Sequence, residues 1–160
     1  MKKIAFLIPL IALTLLSCTG KRNETRTEEF RGINSVDSVK NVDILGQWYI
    51  ENIFFNDSCY VKPNEEVPGS RQYILFEQNG NYTVMTNCNH GAGKFTLKGT
   101  DISFSDAAWT ELACENMTTE EAVRKILPQL NSVEIENDSV MRINSSSEPY
   151  LILTKATEIK

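Results

Sequence analysis

Cys59, Cys88, Cys114 and the single histidine, His90, are side chains whose types and spacing could support chemistry. Cys88 and His90 stand two residues apart, and a thiolate activated by a neighbouring imidazole is what a cysteine hydrolase requires. Residues two apart point to one side only on a straight strand, however, and Asn89-His90-Gly91 reads as a turn. No third group is placed to orient the ring. His90 is therefore read as an exposed turn residue, and no catalytic residue is expected. The three cysteines and His90 formally make a Cys3His zinc set, but no pair has the short Cys-x2-Cys spacing, and disulfide formation would compete for the sulfurs. No Walker loop, dinucleotide fingerprint or His-Glu-x-x-His occurs, so neither metal nor cofactor is expected. Glu120 and Glu121 are more simply a match to a helix dipole than an acid/base pair.

A fourth cysteine points to the compartment. Lys2 and Lys3 precede a 13-residue uncharged apolar run, Ile4 to Leu16, followed by Ser17 and Cys18. Such a run is too short for a hydrocarbon core of roughly 30 Å, which takes about 20 helical residues, so it reads as a cleaved export signal. Leu15-Leu16-Ser17-Cys18 resembles the lipobox of bacterial lipoproteins, in which the cysteine thiol is acylated and becomes the mature N-terminus. Thr19 follows, where an aspartate would favour retention at the inner membrane. The expected address is thus the cell envelope, lipid-anchored through Cys18, at the outer membrane.

Without residues 1–18 the chain has 142 residues, enough for one domain. Without Lys2 and Lys3, 14 cations face 21 anions, a net charge of −7. That balance excludes a nucleic-acid binder, whose affinity comes from clustered cations, and a basic membrane-surface patch. Contact with the membrane is expected through the lipid. Residues 19–43 hold few sizeable apolar groups among many charges and read as a polar tether, with the folded domain over 44–160.

Within that domain the pattern is short apolar alternations divided by turn residues, the mark of an antiparallel sheet. Strands are expected at Gln47 to Ile53, Tyr73 to Glu77, Tyr82 to Thr86, Lys94 to Lys98, Asp101 to Ser105, Ser132 to Glu136, Val140 to Asn144 and Tyr150 to Lys155. Asn79-Gly80 tolerates the positive φ angles of a tight hairpin. Thr118 or Thr119 caps one short helix, with Thr118 and Glu121 at capping-box spacing and Val123, Ile126, Leu127 and Leu130 on one face. Pro128 ends regular helix near Leu127. Phe54 to Arg71 reads as a long loop, with Phe54 and Phe55 partly exposed at its start. The fold class is mainly β (α+β): a small antiparallel, lipocalin-like or open barrel of about eight strands with one short helix, since closing the sheet removes unpaired edges.

Asn87-Cys88-Asn89-His90 with Gly91-Ala92-Gly93-Lys94-Phe95 resembles the Gly-Cys-Asn segment and following glycine-containing strand of the META-domain family, the HslJ-like heat-shock lipoproteins. Thr110-Glu111-Leu112-Ala113-Cys114 is similar to that family's second motif. Asn87 stands where glycine is usual and Leu112 where methionine is common, and Cys59 has no place in the pattern. The resemblance implies a lipocalin-like β fold and association with envelope stress or antibiotic tolerance, and it carries over no catalytic residue.

An exported domain meets oxidising conditions, and three cysteines after Cys18 leave one over. Cys88 with Cys114 is the favoured pair, because both belong to the family motifs and bracket the second hairpin; Cys59 with Cys88 is the alternative. The aromatic residues are read as mostly core, the alternative being a barrel interior that holds a small apolar ligand. A tethered protein-binding or inhibitor module is a further expectation, with its surface at Phe54 and Phe55 or at the turn carrying Asn89 and His90.

Overall fold

A computed structural model describes residues 42–156. The export signal, Cys18 and nearly all of the 19–43 tether lie outside the described residues. Nine strands run in chain order: β1 Gly46–Asn56, β2 Cys59–Val61, β3 Tyr73–Phe76, β4 Asn81–Met85, β5 His90–Lys98, β6 Asp101–Trp109, β7 Leu130–Glu136, β8 Val140–Ser145 and β9 Tyr150–Lys155. All neighbours pair antiparallel, and β1 closes the ring by pairing with β9. The barrel proper has eight strands. β2 is an extra one, paired to the end of β1 beyond the stretch that pairs with β3.

Alternation decides which side chains fill the barrel. Trp48 and Ile50 point inward along β1, and a bulge between Ile50 and Asn52 shifts the phase so that Ile53 is buried as well. Trp48, Phe76, Tyr82, Met141, Ile143 and Leu151 are all fully buried, so side chains occupy the barrel axis. Gly80 supplies the positive φ of the β3–β4 turn, whereas Asn79 instead accepts the Asn81 N–H on its Oδ1 at 2.9 Å.

Each mouth has its own cover. Residues 42–45 cross one, tied by Val42 N–H to the Gly99 carbonyl at 3.2 Å and by the Trp48 indole N–H to the Ile44 carbonyl at 2.8 Å. At the opposite end lies α2, Thr118–Ile126, continued by a 3-10 turn at Leu127–Gln129. Its Val123 and Ile126 are fully buried. Pro128 falls inside the 3-10 turn, where its missing N–H ends the regular helix as expected.

Three expectations need correction. The stretch from Phe54 to Arg71 is not a loop: β1 runs to Asn56, β2 follows, and Pro63–Glu66 forms a single helical turn, α1. The capping box is not made, because Met117 is the N-cap and the Asn116 Oδ1 takes the Thr118 N–H at 3.0 Å. The turn after β4 is Thr86 to Asn89, so His90 opens β5 and is not a turn residue.

The ring has one weak seam. β6 and β7 share the single register pair Asp101 and Ser132, leaving the upper half of β6 without a strand neighbour on that side. The α2 segment connects the top of β6 to the start of β7, and its 3-10 turn packs against β6.

Candidate functional site

The two motifs meet at the mouth covered by α2. Cys88 and Cys114 form a disulfide with Cα atoms 6.1 Å apart across 26 residues of sequence. The favoured pair is therefore the bonded one, and Cys59 is an exposed free thiol on β2. Beside the bridge lies Asn89, which is buried. Its Oδ1 accepts from the Thr110 hydroxyl at 2.7 Å and the Leu112 N–H at 2.8 Å. Its Nδ2 donates to the Leu112 carbonyl at 2.9 Å and to Glu120 Oε1 at 3.2 Å. The Thr86 hydroxyl donates to the Asn89 carbonyl at 2.7 Å and accepts the Asn89 N–H at 3.0 Å. A short carboxamide is what can satisfy donors and acceptors of the facing 110–112 segment at once. Asn89 thus fastens the β4–β5 turn to the chain ahead of Cys114, and it is not available as the surface contact expected of it.

The burial of Glu120 is what sequence reasoning did not foresee. The residue stands in the first turn of α2, where an acid matches the helix dipole, and it is also wholly buried, with its Oε1 2.7 Å from an Arg124 nitrogen one helical turn on. Burying a carboxylate demands a countercharge and hydrogen bonds, and Arg124 and Asn89 supply them. Its spacing carried the signal, for Glu120 shares the i, i+3, i+7 face of Val123 and Leu127. Arg124 also reaches Glu111 and the Thr110 carbonyl, each at 3.0 Å, and its guanidinium stacks 4.6 Å from the Trp109 ring. Helix α2 is thereby bound to the segment that carries the Thr-to-Cys motif.

Asn87, the departure from the usual glycine, has a role of its own. Its Nδ2 donates to the Asn116 carbonyl at 2.8 Å, and its N–H donates to Gln72 Oε1 at 3.2 Å.

The glycines of β5 have a steric reason. A Cβ on Gly91 would lie 2.5 Å from the Trp109 ring, and one on Gly93 would lie 2.5 Å from the Ser105 carbonyl and 2.8 Å from the Tyr82 hydroxyl. Facing them, β6 bulges between Ser105 and Ala108, with Asp106 at φ 55°. Between this bulge and α2 a half-open pocket of about 230 Å³ remains, lined by Tyr82, Phe104, Ala107, Trp109, Arg124 and Leu127 among others. Burial pushes the Tyr82 phenol above its ordinary range, and the Asp106 carboxylate adds to the shift.

The remaining candidates lie apart from this corner. Phe54 is half-buried within β1, its ring stacked 4.3 Å from that of Tyr150 and tilted against that of Tyr60 at 5.5 Å. Phe55 packs against the core with the Lys125 ammonium 4.9 Å from its ring. His90 is exposed, and its main chain is tied to Thr110. Among the described residues, no group of three or more His, Cys, Asp or Glu side chains is placed to hold a metal ion.

Solved structures share this architecture. A protein from Burkholderia xenovorans, determined by NMR, superposes with a TM-score of 0.59 at 18% identity, over 71% of this chain and 83% of that one. A DUF4847 family protein from Bacteroides vulgatus, in a crystal structure, gives a TM-score of 0.51 at 11% identity, over 79% of this chain and 99% of that one. These likenesses show the fold alone. No curated protein matches the sequence. The META domain family model matches residues 43–158, spanning the whole described barrel with both cysteine motifs, and the chain belongs to that family.

Proposed function

We propose that this chain is a non-catalytic, lipid-anchored domain of the cell envelope, held at the outer membrane through an acylated Cys18 and serving under envelope stress. The observation that carries the reading is the Cys88–Cys114 bridge. A disulfide built into the best-braced corner of the fold suits an oxidising compartment outside the cytosol. It also removes the sulfur of Cys88 from any thiolate chemistry with His90. The lipobox-like ending at Cys18 and the polar stretch behind it support an anchor with a spacer, and the family resemblance supports the stress role.

Fractionation of the native host with mass spectrometry of the N-terminal peptide tests the anchor. Diacylglyceryl-modified Cys18 in the membrane fraction is the expected result. An intact, unmodified Met1 in the cytosolic fraction would overturn it. For the stress role, a deletion strain should lose survival under a membrane-perturbing antibiotic and regain it with the wild-type gene but not with Cys18→Ala. Equal survival of all strains would remove that role.

A further inference from the structure

The outside of the barrel has two different halves. On β5, β6 and β7 the positions that alternate with the core hold what a solvated antiparallel face requires: Lys94, Thr96, Ser103, Ser105, Glu134 and Glu136, all exposed. On β3, β1 and β9 the equivalent positions hold Tyr73, Leu75, Tyr49, Phe54, Tyr150 and Ile152, each half-buried. Charge divides the same way. The chain has 21 Asp and Glu residues, yet β1, β2, β3, β8 and β9 carry only Glu51, to which the Thr154 hydroxyl donates at 2.7 Å. Rings and arginine in place of acids are the composition of a protein interface.

Two arginines on this half are positioned but not neutralised. Arg142 on β8 lies 3.9 Å from the Tyr150 ring, and its Nε donates to Asn144 Oδ1 at 2.6 Å, which orients the guanidinium. Glu134 faces Arg142 across the β7–β8 pair but accepts from Asn144 Nδ2 at 3.2 Å instead. Arg71 lies 4.5 Å from the Tyr49 ring. Neither arginine forms an ion pair among the described residues. Beside Arg142, the cross-strand partners Tyr150, Phe54 and Tyr60 make a row of rings, and Tyr60 at its end is 49% exposed. A stacked guanidinium offers a planar fork that matches a carboxylate. We propose that the outer face of β3, β1, β9 and β8, edged by Tyr60, docks a protein partner presenting carboxylates among apolar side chains. Arg142 and Arg71 take the carboxylates, and the Tyr60–Phe54–Tyr150 row takes the apolar groups. A second copy laid face to face would bring the same two arginines and no carboxylate but Glu51, already engaged by Thr154, which disfavours self-association. The face does not depend on acylation of Cys18, and its test is separate from that of the anchor.

Photo-crosslinking of the full chain in whole cells of the native host, which does not presuppose an anchor, tests the assignment. The crosslinker p-benzoylphenylalanine is placed at Tyr60, Phe54 or Ile152 on the face, and at Thr96 or Ser103 on the opposite half as controls. The face positions should yield an adduct with one protein, and mass spectrometry should locate the crosslink in a segment that mixes Asp or Glu with apolar residues. The controls should not yield it. Arg142→Glu should lower the adduct about tenfold or more, as like charges across an interface require, while the melting temperature holds. If it does not hold, Arg71→Glu, at an exposed position before β3, applies the same charge reversal. Absence of an adduct from the face, the same adduct from the controls, or a contact segment without acids would each overturn the proposal. So would an adduct with lipid or with a second copy of the chain, or an undiminished yield in the charge-reversed variant that stays folded.

Discussion

Replacing both Cys88 and Cys114 with alanine should lower the melting temperature by about 15 °C. The bridge closes 26 residues of sequence, and the chain-entropy model assigns such a loop about 3.5 kcal/mol at 25 °C. The 115 described residues carry an unfolding entropy of about 0.24 kcal/mol/K near 60 °C, which converts that loss to the stated shift. Little of it comes from lost packing, since Cys114 is exposed and Cys88 only half-buried. Circular dichroism melts should show the double variant indifferent to reductant, and the wild type falling to meet it when reductant is added. Cys59→Ser, at an exposed free thiol, should move the midpoint by no more than about 2 °C. If Cys59→Ser cost as much as the double change, or if reductant lowered the double variant further, the entropic account of the bridge would be wrong.

Glu120→Gln keeps the shape but leaves Arg124 without its closest countercharge; urea unfolding should register a loss of roughly 1–3 kcal/mol, below the full cost of breaking a buried pair because Arg124 is partly exposed. Gly91→Ala places a methyl 2.5 Å from the Trp109 ring and should cost about 1–3 kcal/mol by the same measurement, with a change in Trp109 fluorescence; a neutral result would mean that β5 and β6 slide apart freely. Tyr82, whose phenol is raised by burial and by Asp106, should stabilise the fold fully below about pH 10, its unfolded value, and lose that contribution as pH climbs through the higher folded value. The stability difference between wild type and Tyr82→Phe should therefore be flat from about pH 7 to 9 and shift against the wild type above about 10. A difference that stayed flat up to pH 11 would count against burial of the phenol.

Strand positions were legible in the sequence because one face of each strand is buried, which forces a period of two. Trp48 with Ile50 and Tyr82 with Val84 show that rule, as do Leu151 and Leu153. Ends were less legible. β1 outruns its expected limit because the bulge after Ile50 breaks the alternation, so Phe54 and Phe55 fall out of phase and look like loop. β5 starts earlier because Gly91 and Gly93 look like turn residues, although both lie in the extended strand, where room for Trp109 and Tyr82 requires them. The cysteine pairing was favoured on motif grounds, but the hydrogen bonds of Asn89 were not legible, since they join residues more than twenty apart in sequence. The burial of Glu120 was not foreseen because a pair of adjacent acids at a helix start has a simple local explanation. Its neighbours on the helix face would have argued otherwise.

What links the motifs to the pocket is the missing half of the β6–β7 ladder. A barrel strand without a neighbour exposes unpaired backbone, and edges of that kind are ordinarily covered or bent away. Here both devices act at once. The bulge at Asp106 bends β6, and the segment from Thr110 to Gln129 lays α2 and its 3-10 turn beside the gap. That detour holds only if it is fastened at its start, and the fastening is the disulfide, the Asn89 clamp on Thr110 and Leu112, and the Glu120–Arg124 pair. The residues that give the family its motifs thus set the position of the helix that forms one wall of the pocket. Loosening any one of them should alter the pocket before it unfolds the barrel, because the helix side of the gap is held by these ties while the other seven strand junctions remain laddered.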